Sequence, residues 1–408
     1  MEFLKIESLE SARLKLLDSA KGWLVKTKIV SLHDSLGLIS GADVFATEDS
    51  PAFRRSTVDG YAVLSADTQA ASDGVPVFLS VVGSVDIGTE VTGKIRSGEC
   101  MEVPTGGMLP AGADAVVMVE YSEEFGAEGV AISSGVAFGE NVINIGDDAK
   151  KGTLILPRGK TIRAQDIGVL ASFGVGDVCV FASPKVTVVS TGDELTSTTE
   201  LELGKVRDIN SHAIAALACK NGFDVIKYVA LPDNEEILTQ EVRTAMADSD
   251  VVILSGGSSK GKKDLTRLIF EKLAKPGVYT HGIALKPGKP TILAHDESSK
   301  TIFVGLPGHP VSAIVVFELL ISWLIGELTN RKEGFAIPAR LSHNIGTTQG
   351  KVVCIPCRLE ESADGYIATA VFGKSGAITT LTQADGYFIT ERNTEGLLAG
   401  AVVYVNIF

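Results

Sequence analysis

Positive charge is in deficit: 37 lysines and arginines stand against 50 aspartates and glutamates, a net charge of −13. A nucleic-acid binder draws affinity from surplus cations that neutralise phosphates, so this balance argues against that class. An anionic small ligand stays open, because a few lysines and backbone amides reverse the field within one cleft. Cysteine is scarce as well. The five (Cys100, Cys179, Cys219, Cys354, Cys357) are scattered, and MEFLKIESLESARLKLL alternates charged and apolar residues where a secretory segment would be apolar. Reduced thiols in the cytoplasm are the expectation. The single C-x-x-C, in KVVCIPCRLE, has no second pair and no nearby histidine, and its alternating context predicts a strand in place of a metal or redox centre. Apolar runs stop short of the ~20 residues of a membrane span. The run AIVVFELLISWLIG (313–326) carries Glu318 and is expected as a buried helix. Repeats and low-complexity tracts are missing too.

What is present is length and glycine. A chain of 408 residues with 43 glycines implies roughly two to four globular domains with many tight turns. Residues 1–50 read as mainly helical. From VPVFLSVV (75–82) to about Ile145, short alternating segments broken by glycine predict a small β domain. Residues 142–177 run through turns into a helix beginning near Ala164 and are expected to rejoin the first zone. From Pro184 to about Asn330 strands and helices alternate: KVTVVS, NSHAIAALACKNG, FDVIKYVAL, NEEILTQEVRTAMAD, VVILS, LTRLIFEKLA, TIFVGL and VSAIVVFELLISWLIG. That grammar predicts an α/β domain built on a doubly wound, mostly parallel sheet. KVVCIPCRL, YIATAVF, GYFITE and AVVYVNIF then predict a C-terminal β-barrel. The expected boundaries are 1–50 with 142–178 as one discontinuous domain, 51–141 as the small β domain, 179–330 as the doubly wound domain and 331–408 as the barrel.

Ligands of a doubly wound sheet bind at the carboxyl ends of its strands. Three such ends carry unusual loops: TGDEL (191–195), GGSSKGKKD (256–264) and PGHPVSA (307–313). Ser255 ends the strand ahead of the second, and Gly256 and Gly257 open it. In the third, Pro310 suits the first turn of a helix and Gly308 lets a ligand approach the backbone. Helix-start amides there favour an anion. Lys286 and Lys289 flank a Pro-Gly turn in ALKPGKPTILAHD (284–296) and are candidate anion clamps. Asp193, Glu194, Asp233 and Asp264 stand at strand ends on the same edge, a set suited to Mg²⁺ beside phosphates. Asp264 is equally a helix cap, and the two roles are compatible. GGSSKGKK matches a Walker loop at Gly256, Gly261 and Lys262. Lys263 stands where that loop needs a hydroxyl for Mg²⁺, so an ATPase of that type is excluded. SPAFRRSTVDGYAV (50–63) is either a linker with an Asx turn or a functional segment.

Together the motifs resemble the molybdopterin molybdenumtransferase family, which includes MoeA and the E domain of gephyrin. STVDGYAV (56–63), PTGGMLPAGADAVVMVE (104–120), STGDEL (190–195), DINSHAIAA (208–216), LKPGKP (285–290) and GLPGHPVSA (305–313) carry the resemblance, in order, over nearly the whole chain. It implies an elongated N-terminal domain beside the three domains read above, and a homodimer whose cleft is shared between subunits. The implied reaction takes adenylylated molybdopterin and molybdate, or tungstate, and with Mg²⁺ yields molybdenum cofactor and AMP. Asp59 and Thr105 match positions that handle substrate, Asp59 also as a catalytic acid. Glu194 and Asp264 match catalytic acids, and Asp233, Asp264 and Glu194 match the metal and phosphate neighbourhood. Asp208, Lys286, Lys289, Pro307, Gly308 and Pro310 match substrate-binding positions, with the prolines shaping the floor. Two loops depart from the pattern: GGSSKGKKD where the family has G-G-V-S-x-G-x-x-D, and His309 where it commonly has asparagine. The rival readings are a molybdopterin adenylyltransferase, which is usually a single domain, and a scaffold of the same fold without catalysis.

Overall fold

The computed structural model describes residues 6–126, 129–196, 198, 200–256, 264–331 and 335–408. The chain divides into two compact units, one formed by residues 1–42, 158–163 and 177–408, the other by residues 43–157 and 164–176.

The first unit is organised by a six-stranded sheet. Its strands are β1 (Lys185–Thr191), β2 (Asp224–Leu231), β3 (Val251–Gly256), β4 (Pro276–His281), β5 (Ile292–Asp296) and β6 (Thr301–Leu306), in the order β2-β1-β3-β6-β5-β4. The first four in that order are parallel, while β5 runs antiparallel to both neighbours. Central strands need apolar side chains on both faces, and every residue of β3 and β6 is buried. Alternate residues serve opposite layers. Val251 and Ile253 face a core shared with helices Leu9–Ala20, Asn210–Lys220 and Pro310–Thr329, whereas Val252 and Leu254 face one shared with Glu235–Asp248 and Leu265–Leu273. The edge strand β2 is largely exposed and carries an ion pair, Lys227 to Glu241 at 2.7 Å.

Helix Pro310–Thr329 runs for 20 residues, longer than the apolar run suggested, because a π-helical turn at Phe317–Ser322 joins two α-helical halves. It is long and apolar enough to cross a membrane, but 67% of it is buried inside the protein. Glu318 Oε1 is buried without a hydrogen-bond partner among the described residues, which costs about 1–3 kcal/mol. Buried Phe317, Leu319, Leu320 and Ile321 each contribute roughly 1.5–3 kcal/mol. Burial wins.

The C-terminal strands close into a barrel: Val352–Ser362 pairs with Gly365–Ala370 on one side and Gly386–Thr390 on the other, and Ile337–Leu341 and Val402–Ile407 complete the circuit. Strand Leu285–Lys286 adds in parallel to Val352–Val353, tying the barrel to the loop ahead of β5. Cys354 and Cys357 fall into different apolar cores, and burial pushes both thiols up, Cys357 to about 12.

The second unit holds a sheet ordered Ala115–Met118, Gly60–Val63, Glu99–Val103, Val77–Ser84, Gly129–Ile132, Ser122–Phe125. Val44–Phe45 pairs with Leu154–Leu156, and helix Ala164–Ser172 follows. The expectation that residues 1–50 are mainly helical is corrected. Beyond helix Leu9–Ala20 the zone holds one short 3-10 turn, His33–Ser35, and strands. The β-branched run at Thr27–Ser31 pairs with Asp177–Phe181, a partner so distant in sequence that no local pattern signals it.

Candidate active site

The chain leaves β1, crosses to β2, and returns to place β3 on the far side of β1. The strand order reverses there, the point at which a doubly wound sheet leaves a crevice at its strand ends. A cavity of about 640 Å³ occupies it, lined among others by Thr191, Gly192, Glu194, Asp208, Asn210, Asp233, Ser255, Gly256, Pro307, Gly308, His309 and Pro310.

The sheet ends hold its polar groups in place. Thr191 Oγ1 donates to Asp233 Oδ1 at 2.8 Å, and Asp233 N–H donates to Asp193 Oδ1 at 3.0 Å. Asn210 Nδ2 donates both to Ser255 Oγ at 2.8 Å and to the Gly308 carbonyl at 2.9 Å. The start of its helix thus joins the ends of β3 and β6. Ser255 Oγ reaches the Pro307 carbonyl at 3.2 Å, and Asp208 accepts from Ser211. Glu194 has no side-chain partner among the described residues; its main-chain carbonyl accepts from Val206 N–H at 2.8 Å.

Glycine is required twice. Gly256 has φ +114°, and a Cβ there would stand 2.2 Å from the Thr191 carbonyl oxygen. At Gly192 a Cβ would stand 2.5 Å from Glu194 Oε1, so the carboxylate folds over a residue without a side chain. Gly192→Ala is therefore expected to push Glu194 aside. Turnover should fall roughly 10- to 100-fold, with the melting temperature within about 2 °C of the parent, since only a flexible side-chain end must move. Steady-state rates and a thermal melt check both halves.

The sequence-derived candidates separate. Glu194, Asp208, Asp233, Ser255, Gly256, Pro307, Gly308 and Pro310 line one cavity. Asp264 adjoins it through Leu265, with one oxygen accepting from Arg267 N–H at 3.2 Å as a helix cap and the other 3.3 Å from His281 Nε2. Neither Lys286 nor Lys289 is among the described lining residues; Lys286 Nζ donates to Thr348 Oγ1 of the C-terminal segment at 2.9 Å. Gly257 and the loop lysines Lys260, Lys262 and Lys263 lie outside the described residues. Asp59 and Thr105 belong to the second compact unit, where Thr105 N–H donates to Asp59 Oδ1 at 2.6 Å. That hydrogen bond, with a second from the Thr105 side chain, holds the Asp59 carboxyl below its ordinary range. Asp59 lines a second cavity of about 370 Å³ with Tyr61, Asp86 and Glu102.

Among the described residues no group of three or more His, Cys, Asp or Glu side chains is placed to hold a metal. Asp264 spends its oxygens on the cap and on His281. A hard cation that keeps several waters needs only one or two protein carboxylates; Glu194 and Asp233 line the same cavity. Sequence reasoning passed over Thr191, the brace of Asp233, and Asn210, the tether of two loops. Asn210 stands in the motif DINSHAIAA; Gly376, which lines the cavity from the barrel segment, carries no local sequence signal.

Three family models match the chain in order. The MoeA N-terminal region (domain I and II) matches residues 7–174, a probable molybdopterin binding domain matches 187–326, and the MoeA C-terminal region (domain IV) matches 338–408. A molybdopterin molybdenumtransferase of Bacillus subtilis is 30% identical over 93% of this chain and 89% of its own. One from Haemophilus influenzae is 33% identical over 80% and 78%. The crystal structure of a molybdopterin biosynthesis MoeA protein from Pyrococcus horikoshii superposes with a TM-score of 0.81 at 34% identity, covering 99% of each chain.

Proposed function

The chain belongs to the MoeA family of molybdopterin molybdenumtransferases, and from that premise we propose that the cavity at the strand ends takes adenylylated molybdopterin together with molybdate or tungstate. The protein is a transferase of molybdenum cofactor biosynthesis. In this reading the oxyanion metal enters the pterin dithiolene and AMP leaves.

The observation that carries it is the cavity itself, where the ends of three strands meet the carboxylates of Glu194 and Asp233. Gly192, Gly256 and Gly308 let backbone approach the pyrophosphate. Glu194, whose side chain has no partner among the described residues, orients the attacking water or the leaving phosphate, and Thr191 keeps Asp233 turned in one direction. Mg²⁺ fits beside Glu194 and Asp233, where it would supply neutralising charge to the phosphates. A cytoplasmic homodimer with a shared cleft belongs to the same reading, and Asp59 and Thr105 are its substrate-handling pair in the second unit.

Purified protein given adenylylated molybdopterin, Mg²⁺ and molybdate is expected to release AMP and to yield cofactor that reconstitutes an apo-molybdoenzyme. Tungstate run in parallel ranks the two oxyanions. AMP release that ignores the oxyanion, or no cofactor formed, overturns the proposal.

A further inference from the structure

Among the described residues, the cavity lining carries three carboxylates, from Glu194, Asp208 and Asp233, and one permanent cation, Arg207. Asn210 has its amide donors committed to Ser255 and Gly308. Among the described lining residues His309 is the one other side chain with a nitrogen, and its surroundings are specific. Ser375 Oγ and His309 Nδ1 are 3.1 Å apart, and Val311 N–H donates to the Ser375 carbonyl at 3.2 Å. A Cβ on Gly376 would lie 3.8 Å from His309 Cδ2, so the barrel segment Ser375–Gly376 packs against the ring. A Ser375 hydroxyl that donates to Nδ1 leaves the ring proton on Nε2. Nε2 has no protein partner among the described residues, and His309 is exposed.

We propose that His309 Nε2 contacts a tetrahedral oxyanion in the cavity directly, with Ser375 setting the ring's orientation and tautomer from the barrel. This specificity contact rests on the functional reading above. The oxyanion is either the nucleotide phosphate or molybdate; both present the same acceptor oxygens, and a ring N–H suits either. The barrel segment then acts on the cavity without entering the chemistry.

Calorimetric titration of the full chain with AMP and, separately, with molybdate tests it on the parent and on His309→Ala, His309→Asn and His309→Gln. An asparagine amide reaches only as far as Nδ1, whereas a glutamine amide reaches the place of Nε2. His309→Ala and His309→Asn are expected to bind one probe roughly tenfold more weakly, and His309→Gln to stay within about threefold of the parent. The weakened arm names the oxyanion. In turnover, KM should rise with kcat held, as for a contact made equally in ground and transition states. Parent-like binding by His309→Ala or His309→Asn, or a His309→Gln variant as weak as His309→Ala, overturns the contact while leaving the functional reading intact. A parent protein that binds neither probe overturns that reading, and this inference with it. His309 is exposed, so unchanged melting of all three variants is expected.

Discussion

Replacing Glu194 with glutamine is expected to lower turnover by roughly 10²- to 10⁴-fold, the range of a lost acid–base or charge-bearing group, with folding untouched. The side chain lines the cavity and has no hydrogen-bond or ion-pair partner among the described residues, so no internal bond breaks when its charge is removed. Glutamine keeps the shape that lies over Gly192. The change therefore isolates charge from geometry, whereas Gly192→Ala moves the geometry and keeps the charge. Glu241→Gln is the matched control. It removes the surface ion pair to Lys227 on the exposed edge strand, worth about 0–1 kcal/mol, and turnover should not change. Excess Mg²⁺ separates two roles for Glu194: recovery of rate points to a cation ligand, while no recovery points to a group that handles a proton. A Glu194→Gln enzyme with the parent rate would remove this residue from the mechanism.

The doubly wound domain was legible because its strands are buried on both faces and its helices carry local stops. VVILS reads as an unbroken apolar run and becomes fully buried β3; Asn221–Gly222 ends its helix as written, with Gly222 at φ +83°. Strand Pro276–His281 was not legible. Proline and glycine open it, its sequence does not alternate, and antiparallel pairing with β5 alone defines it. The same distinction governs the site. Loops that follow a strand announce their position, so Glu194, Gly256 and Pro307 stood out from pattern, and the structure places them along one cavity. Contacts between distant segments leave no trace in a local window. Lys286 with Thr348, His309 with Ser375 and Asp264 with His281 are of that kind, and each assigns a partner to a residue first read by type alone.

Gly256→Ala is expected to destabilise the first unit by about 3 kcal/mol, from a backbone held at positive φ (roughly 1–3 kcal/mol) and an overpacked contact (about 1–3 kcal/mol). In a melt this is a fall of roughly 6–12 °C. The obstruction is backbone: the new Cβ would meet the Thr191 carbonyl oxygen at 2.2 Å, and Thr191 is the register partner of Gly256 in the next parallel strand. Neither can retreat without unpairing strand ends that also carry the Thr266 hydroxyl bond to the Gly256 carbonyl at 3.1 Å. Gly277→Ala separates the two costs. Its φ is +97°, but the nearest atom to its Cβ is the Ala274 carbonyl oxygen at 3.3 Å, a contact that a slight shift relieves. That variant should lose only the conformational part, about 1 kcal/mol. Ligand binding divides them further. Gly256 lies at the cavity floor, where a Cβ at Gly308 would stand 3.5 Å from its Cα. Alanine at 256 is therefore expected to displace Thr191 and the Pro307–Gly308 turn together, and AMP binding should fall at least tenfold, while Gly277→Ala binds as the parent. Equal melting temperatures for the two variants would mean that the approach of Thr191 to Gly256 does not set the shape of the floor.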